Sequence, residues 1–425
     1  MNLIYQLGVA VVTWFGLVPW QLLEIVRGRA TWGDLSERMG WSTVPGPRRG
    51  GRAVIHAVSA GEMAAVEPVI AELARREPGL GVVLTTCCAD GRAVAERIRE
   101  RCPAVESVMW LPWDRIGPLR RWLAGLGPSL VVVVETEIWP GLFFACRRLG
   151  LPLCVVNGRI YQRDVWRYRM ALPFFRRALG CVSWIGAQSS AEAARFAAIG
   201  AEPAHIEVVG NPKYAFVPPG ASGDDRLGRL ANAGPLVVAG STHEPEEALV
   251  LAAFRNLRCD IPELRLVLAP RKVDRWGGVA ALVERAGFRA AAWSTWGADG
   301  GPWDVLILDR LGWLAEIYGR ARMAVVGGSF IEHGGHNPIE AAAQGIPVIM
   351  GPSARHFEEI VGDLEAAGGL IRVGDAAGLA AAMRHLIEDP ARAEMIGSAG
   401  KGCVAARQGI AGRYASALLA RRIMP

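Results

Sequence analysis

The sequence predicts an α/β protein built from two doubly wound domains behind an apolar N-terminal helix. Three observations carry that prediction. Short apolar runs alternate with longer helical stretches from about residue 50 to residue 373. The runs lack polar/apolar alternation, as expected for parallel strands covered on both faces. They also fall into two series, separated by the linker-like stretch Val217-Pro218-Pro219-Gly220-Ala221-Ser222-Gly223-Asp224-Asp225. At 425 residues the chain is too long for one comfortable core, which agrees with two domains. The expected boundaries are an anchor over 1–26, a first domain over 27–216, a linker over 217–226 and a second domain over 227–425 that includes a C-terminal helix. The tail from Ala405 to Ile423 reads as that helix, and it has the length to pack back across the domains.

No charged residue occurs from Leu3 to Leu23, and Leu7–Trp20 is apolar apart from Thr13. A helix of about twenty residues spans the hydrocarbon layer. The stretch has no basic start and no small-x-small cleavage site, so it does not read as a signal peptide. Arg27, Arg29, Arg38, Arg48 and Arg49 follow it, an excess that belongs on the cytoplasmic side. The alternative is an amphipathic helix packed on the body of the protein, in keeping with Gln6, Gln21 and Pro19, which are costly in lipid. A single membrane anchor with the remainder inside the cell is the reading adopted.

The first series of strands is expected at Ala53–Val58, Val82–Thr86, Val108–Leu111, Leu130–Val134, Leu153–Val156 and Cys181–Ala187. The second is expected at Leu236–Ala239, Leu264–Ala269, Val305–Leu308, Met323–Val326, Ile346–Met350 and Leu370–Val373. Composition narrows the function classes. Half of the residues are apolar and 21% are charged, which is a folded, globular balance. Basic residues exceed acidic ones by 47 to 41, and Lys213, Lys272 and Lys401 are the only lysines. An excess of this size suits an anionic partner, but no arginine-rich block with interleaved aromatics marks a nucleic-acid binder. The eight cysteines form no CxxC pair and no metal-finger spacing, so they read as core residues of a reducing compartment.

The chemistry-bearing residues lie where strands end. Ala53–Val58 runs into Ser59-Ala60-Gly61-Glu62, with Gly61 permitting a tight turn and Glu62 at the mouth of a helix. Glu62 suits a general base, and equally a simple complement to the helix dipole. The valine strand ending at Val134 is followed by Glu135-Thr136-Glu137-Ile138-Trp139-Pro140, and Leu153–Val156 by Asn157-Gly158-Arg159. Each acid alone also fits a solvated loop; together the three strand ends converge on one edge of a sheet. In the second domain, Gly240-Ser241-Thr242-His243-Glu244 offers amides and hydroxyls suited to phosphate. Arg271 and Lys272 end the next strand with two cations. Gly327-Gly328-Ser329 and Gly334-Gly335-His336-Asn337 follow Met323–Val326, with a helix expected to open at Asn337-Pro338 and Glu340 in its first turn. In open parallel sheets ligands sit at such carboxyl edges, here in a cleft between the domains. His243, His333 and His336 look too irregularly spaced for a metal, so no metal site is expected, and His333 reads as an ordinary loop residue.

In this order, Ser59-Ala60-Gly61-Glu62, Glu135-Thr136-Glu137-Ile138-Trp139-Pro140, Asn157-Gly158-Arg159, Gly210-Asn211-Pro212-Lys213, Ser241-Thr242-His243-Glu244 and Gly327-Gly328-Ser329 through Gly335-His336-Asn337-Pro338-Ile339-Glu340 resemble the bacterial 3-deoxy-D-manno-octulosonic acid (Kdo) transferases of lipopolysaccharide assembly. The resemblance runs over nearly the whole chain. It implies the GT-B glycosyltransferase fold, with an acceptor-binding first domain and a donor-binding second one. It implies CMP-Kdo as donor, a lipid A precursor as acceptor, no cofactor, and a place at the cytoplasmic face of the inner membrane. It implies Glu62 as catalytic base, supported by Glu137 or Glu135. Ser59, Gly61, Asn157, Arg159 and Arg163 would meet the acceptor. Ser241, Thr242, His243, Arg271, Lys272, Gly327, Gly328, Ser329, Gly335, His336, Asn337 and Glu340 would hold the donor. Two departures stand out: Lys272 replaces a histidine common in the family, and Trp313 replaces an acid in the Asp309–Leu314 segment. They keep open a GT-B enzyme with another nucleotide sugar or lipid acceptor, or a silent relative that binds glycolipid without turnover.

Overall fold

The computed structural model describes residues 2–42, 46, 48–215, 224–297 and 301–423, and it contains two compact units. Unit 1 holds Met1–Ala215 with Gly409–Pro425, and unit 2 holds Phe216–Gln408. The expected linker thus falls largely outside the described residues, and its last residues, Asp224 to Arg226, already cap and begin the helix Asp225–Ala231. The C-terminal helix Ile410–Leu419, assigned from sequence to the second domain, belongs to unit 1 instead.

In unit 1 the strands are β1 (Arg52–His56), β2 (Gly81–Thr86), β3 (Val105–Trp110), β4 (Leu130–Val134), β5 (Leu153–Gly158), β6 (Trp184–Ala187) and β7 (Ile206–Val208). They form one parallel sheet in the order β3-β2-β1-β4-β5-β6-β7. Unit 2 contains β8 (Leu236–Thr242), β9 (Arg265–Pro270), β10 (Ala290–Ala292), β11 (Val305–Ile307), β12 (Met323–Val326), β13 (Val348–Met350) and β14 (Leu370–Arg372). Its sheet is also parallel, in the order β10-β11-β9-β8-β12-β13-β14. β1, β2 and β4 are buried along their whole length, as are β12 and β13, so their valine- and isoleucine-rich runs face helices on both sides. β7 and β10 escaped the sequence reading. Both are edge strands of three residues, one an Ile-Glu-Val largely open to solvent and one made only of alanine, too short to show an apolar run.

In each sheet the strand order reverses beside the first strand. β1 lies between β2 and β4, and β8 between β9 and β12. The connections leaving the carboxyl ends of those neighbours run in opposite directions and open a crevice between them. Ser59–Glu62 and Glu135–Glu137 leave one such point, and Ser241–His243 and Gly327–Ser329 leave the other.

The helix Ile410–Leu419 is tied into unit 1 by Tyr414, which is fully buried. Its hydroxyl accepts from Asn157 N at 3.2 Å and lies 3.0 Å from Gly186 O and 2.9 Å from Gly210 O. Gly186 is needed beneath it, because a Cβ there would come within 2.4 Å of the Tyr414 ring.

The N-terminal segment is helical from Asn2 to Val26, with a π-helical stretch at Thr13–Leu17 just ahead of Pro19. Proline lacks the N–H that a regular turn needs, and a widened turn ahead of it is a common accommodation. Ile4–Val26 is long and apolar enough to cross a membrane, and little of it is buried. It also touches unit 1. Tyr5 donates its hydroxyl to Asp114, and Gln6 Oε1 accepts from Ile116 N at 2.9 Å. All eight cysteines are free.

Replacing Tyr414 by Phe strands the buried Asn157 amide while preserving shape. The expected cost is about 1–3 kcal/mol, read as a lower urea midpoint with unchanged slope; an unaltered midpoint would show that the hydroxyl contributes nothing.

Candidate functional site

At the crevice of unit 1, three carboxylates converge. Glu62 sits at the third position of the helix Ala60–Arg76, in a capping box with Ser59. Ser59 Oγ accepts from Glu62 N at 3.2 Å, and Glu62 Oε2 accepts from Val58 N at 2.6 Å and Ser59 N at 3.2 Å. One carboxylate oxygen is therefore spent on the backbone, and among the described residues Oε1 has no hydrogen-bond partner. The carboxylate therefore closes the start of its helix, as one sequence reading expected, while leaving one oxygen unbonded. Burial, then the Glu135 charge, raises its pKa against those backbone bonds.

Glu137 Oε2 accepts from Trp139 Nε1 at 2.7 Å. Burial, then the Glu62 charge, pushes its pKa up to about 7. Glu135 occupies the left-handed region at φ 60°. Its Oε1 accepts from Asn157 Nδ2 at 3.1 Å and lies 3.9 Å from Lys213 Nζ. Asn157, at φ 57°, is fully buried in β5 and also receives Gln188 Nε2 on its Oδ1 at 2.8 Å. It positions Glu135 rather than facing solvent. Beneath the cluster, His56 is buried with its ring edge-on to Trp139 at 5.9 Å. Burial holds it neutral, down to about 4, and its Nε2 has no partner among the described residues.

Arg159 and Arg163 flank the Tyr161 ring at 4.4 and 5.1 Å, a pair of cations suited to a polyanion. Gly61 is exposed with negative φ, and a Cβ there would meet only Ser59 Oγ at 3.8 Å. The turn therefore does not demand glycine, contrary to the sequence argument.

At the crevice of unit 2, two loops are stapled by buried acids that the sequence reading passed over. Glu246 accepts from His243 N at 2.9 Å, Gly328 N at 2.7 Å and Phe330 N at 2.9 Å. Glu247 accepts from Thr242 Oγ1 at 2.9 Å and takes both arms of Arg275 at 2.7 and 3.1 Å. The Glu246-Glu247 pair directly after a strand-end turn was the available signal. Gly327 lets the loops close up, since a Cβ would come 2.5 Å from Ser241 O. Gly328 (φ 67°) and Gly335 (φ 75°) hold left-handed turns, and Ser241 is at φ 57°.

Two expected donor contacts point inward. Thr242 is committed to Glu247, and Ser329 is fully buried, donating to Val326 O at 2.5 Å and accepting from Gly351 N at 2.8 Å. The helix expected at Asn337-Pro338 is a single turn, Ile339–Ala342, starting after Pro338. Asn337 Oδ1 accepts Ile339 N at 3.1 Å, but four residues build no useful macrodipole. Glu340 is raised by burial and drawn down by Arg271 and Asn337. Arg271 and Lys272 are exposed. Trp313 packs 5.5 Å from Trp293, with Arg226 beside both rings.

His243, His333 and His336 come together despite their irregular spacing, with ring nitrogens within 4.8 Å of one another; this trio is the metal-capable group among the described residues. His243 Nε2 and His336 Nε2 are 2.7 Å apart, a hydrogen-bond separation in which one ring carries the bridging proton. Tetrahedral zinc with bonds of about 2.0–2.1 Å would hold them roughly 3.3 Å apart. Burial, then neighbouring positive groups, drives His336 down to about 3, and His243 is lowered likewise. The cluster is thus three imidazoles beside exposed cations, with burial favouring the neutral form of His243 and His336.

Glu137 predicts a pH-dependent stability. Its folded pKa lies above its unfolded value near 4.3, so its stabilising contribution is lost as pH rises from about 4 through 7. Glu137→Gln removes that loss: its melting temperature should exceed wild type by about 2–5 °C at pH 8 and not at pH 5. Equal shifts at both pH values would remove the assigned ionisation.

Comparison with known proteins agrees with this arrangement. Residues 33–216 match the 3-deoxy-D-manno-octulosonic-acid transferase (kdotransferase) family, and residues 305–402 match glycosyl transferases group 1. The chain is 34% identical over 373 residues to the 3-deoxy-D-manno-octulosonic acid transferase of Bordetella pertussis, covering 86% of each chain. It is 30% identical over 377 residues to that of Haemophilus influenzae, again covering 86% of each. Among solved structures, a UDP-N-acetylglucosamine 2-epimerase aligns with TM-score 0.58 at 14% identity, over 88% of this chain and 96% of that one. The glycotransferase of kitacinnamycin aligns with TM-score 0.55 at 15% identity, over 89% of this chain and all of that one. These two share the fold alone. With its GT-B-like pair of seven-stranded sheets, the chain is a glycosyltransferase and belongs to the 3-deoxy-D-manno-octulosonic acid transferase family.

Proposed function

We propose that the chain transfers Kdo from CMP-Kdo to a lipid A precursor, with inversion, at the cytoplasmic face of the bacterial inner membrane. The observation that carries the reading is the carboxylate trio at the crevice of unit 1, in which Glu62 keeps one oxygen uncommitted. Family membership supports the donor class, and the apolar N-terminal helix supports a membrane-resident acceptor.

In this mechanism Glu62 Oε1 takes the proton from a primary hydroxyl of the acceptor's sugar. The hydroxyl oxygen bonds to the anomeric carbon of Kdo as the bond from that carbon to the phosphate oxygen breaks, and CMP departs with the electron pair. The bonds from Val58 N and Ser59 N fix the carboxylate without neutralising Oε1. Glu135 sharpens the base, because its charge raises the Glu62 pKa. Glu137, near-neutral in pKa, is suited to hold an acceptor hydroxyl. Arg159 and Arg163 meet the acceptor's phosphates as paired cations. In unit 2, the loops at Ser241–His243, Gly327–Gly328 and Gly335–Asn337 receive the cytidine monophosphate. Arg271 and Lys272 balance the charge that grows on the departing phosphate. Ser329 and Thr242 act from within, by setting those loops.

Glu62→Gln should lower transfer by about 10³-fold or more while CMP binding, followed calorimetrically, stays within about twofold. Wild-type turnover in that variant would reject the base. In Glu135→Gln the acidic limb of the rate profile should move to lower pH, since a neighbouring negative charge is removed; a move to higher pH would contradict the coupling. Transfer itself is tested by mass, with CMP-Kdo formed in situ and a tetraacylated lipid A precursor as acceptor. Product heavier by one or more Kdo residues supports the reading. No product from folded protein, with transfer from another nucleotide sugar, would reassign the donor.

A further inference from the structure

A cavity in unit 1 is not part of the carboxylate cluster but borders it. It measures about 590 Å³ and lies between the N-terminal helix and the body, lined by Gly8, Val12 and Leu17 on one side and Leu111, Trp113 and Trp139 on the other. Trp139 is the shared wall: its ring lines the cavity while its Nε1 donates to Glu137. Arg38 also lines it, with its guanidinium 4.2 Å from the Trp110 ring, and Asp114, bonded to Tyr5, is the other charged group in a mostly apolar lining.

The helix that closes this chamber is held to the same unit at both ends. Near its start, Tyr5 bonds Asp114 and packs 5.2 Å from the Phe174 ring, and Gln6 bonds Ile116. Just beyond its end, the next helix, Trp32–Met39, docks on β3: Trp110 N donates to Glu37 Oε2 at 2.7 Å and Trp110 Nε1 to Asp34 Oδ1 at 2.5 Å. A crossing helix would carry its ends to opposite sides of a hydrocarbon layer about 30 Å thick. A helix pinned at both ends to one folded unit lies along its surface instead. Its outer face is Ile4, Leu7, Val11, Phe15, Leu23 and Val26, all exposed at near-helical spacing. The neighbouring helix Val165–Met170 adds exposed Trp166 and Met170, fringed by Arg163, Arg167 and Arg169. That is the pattern of an interfacial helix, with apolar side chains in the acyl region and cations at the headgroups.

We propose that the N-terminal helix lies in one leaflet and that the chamber beneath it takes one acyl chain of the acceptor lipid. The inference rests on the acceptor class proposed above and adds where the chain goes. The chamber lies directly beneath the helix, is walled mostly by apolar side chains and reaches Trp139, which bonds Glu137 of the carboxylate cluster. A chain seated there brings the sugar head of the same lipid to Glu62, so the lipid tail helps to place the reacting hydroxyl.

Gly8→Trp is the discriminating variant, because a Cβ at Gly8 meets no atom within 4 Å and the ring can grow into the chamber without displacing backbone. The ratio of kcat/KM for a tetraacylated acceptor over its fully deacylated form should fall by roughly tenfold or more, the effect of displacing about two methylenes. An unchanged ratio overturns the proposal, whether or not overall activity falls. A second readout needs no turnover: an acceptor glycolipid with a diazirine on an acyl chain should cross-link, on irradiation, to peptides containing Gly8–Leu17 and Trp139, and less so in Gly8→Trp. Cross-links confined elsewhere overturn the site; cross-links at the site in a protein that transfers no sugar would instead count against the proposed reaction. An N-terminal tag should be cut by protease from the same membrane face as the C-terminus. Cutting only from the opposite face overturns the surface orientation.

Discussion

The reversal of strand order in each parallel sheet is the constraint on which the rest depends. A parallel ladder must be covered on both faces, so every crossover takes a helix to one side or the other, and where the side changes two loops part. In this chain the partings occur beside β1 and beside β8. Everything with chemical potential gathers there because no packed helix covers those loop ends. The buried valines of β4 and β12 set where the loops begin; the loops themselves are then free to carry acids, histidines and glycines.

The two crevices solve the problem of polar density differently. In unit 1 the acids face one another: burial and the neighbouring carboxylates raise the pKa of Glu62 and Glu137, and Lys213 lies 3.9 Å from Glu135. In unit 2 the acids are turned inward to hold loops by their backbone amides, and three imidazoles cluster beside them. An acidic pocket suits the taking of a proton. A pocket of neutral donors beside exposed cations suits an anion. The contrast follows from where the acids point, and it matches a division between acceptor and donor.

Much of this was legible in the sequence, since buried parallel strands announce themselves by unbroken apolar runs. β4 and β12 were delimited residue for residue, because valine-rich runs end abruptly at glutamate and at glycine. The edge strands β7 and β10 were not, since an edge of three residues has little to bury. Strand ends told which residues stand near a crevice but not which way they face. Thr242 and Ser329 look like ligands by type and are internal struts; Glu246 looks like one more helical acid and is the staple. His333 was set aside on spacing, yet a glycine turn at φ 101° at Gly334 brings it to His243, an event in dihedral space that spacing does not encode.

The capping box of Glu62 has a consequence for how the protein turns on. One oxygen of that carboxylate closes the first turn of Ala60–Arg76, and the other accepts no hydrogen bond among the described residues. In the proposed reaction, helix initiation and proton abstraction share a single side chain, and the rotamer that closes the turn is the rotamer that would aim the base. Any fraying of that turn disarms the reaction at once.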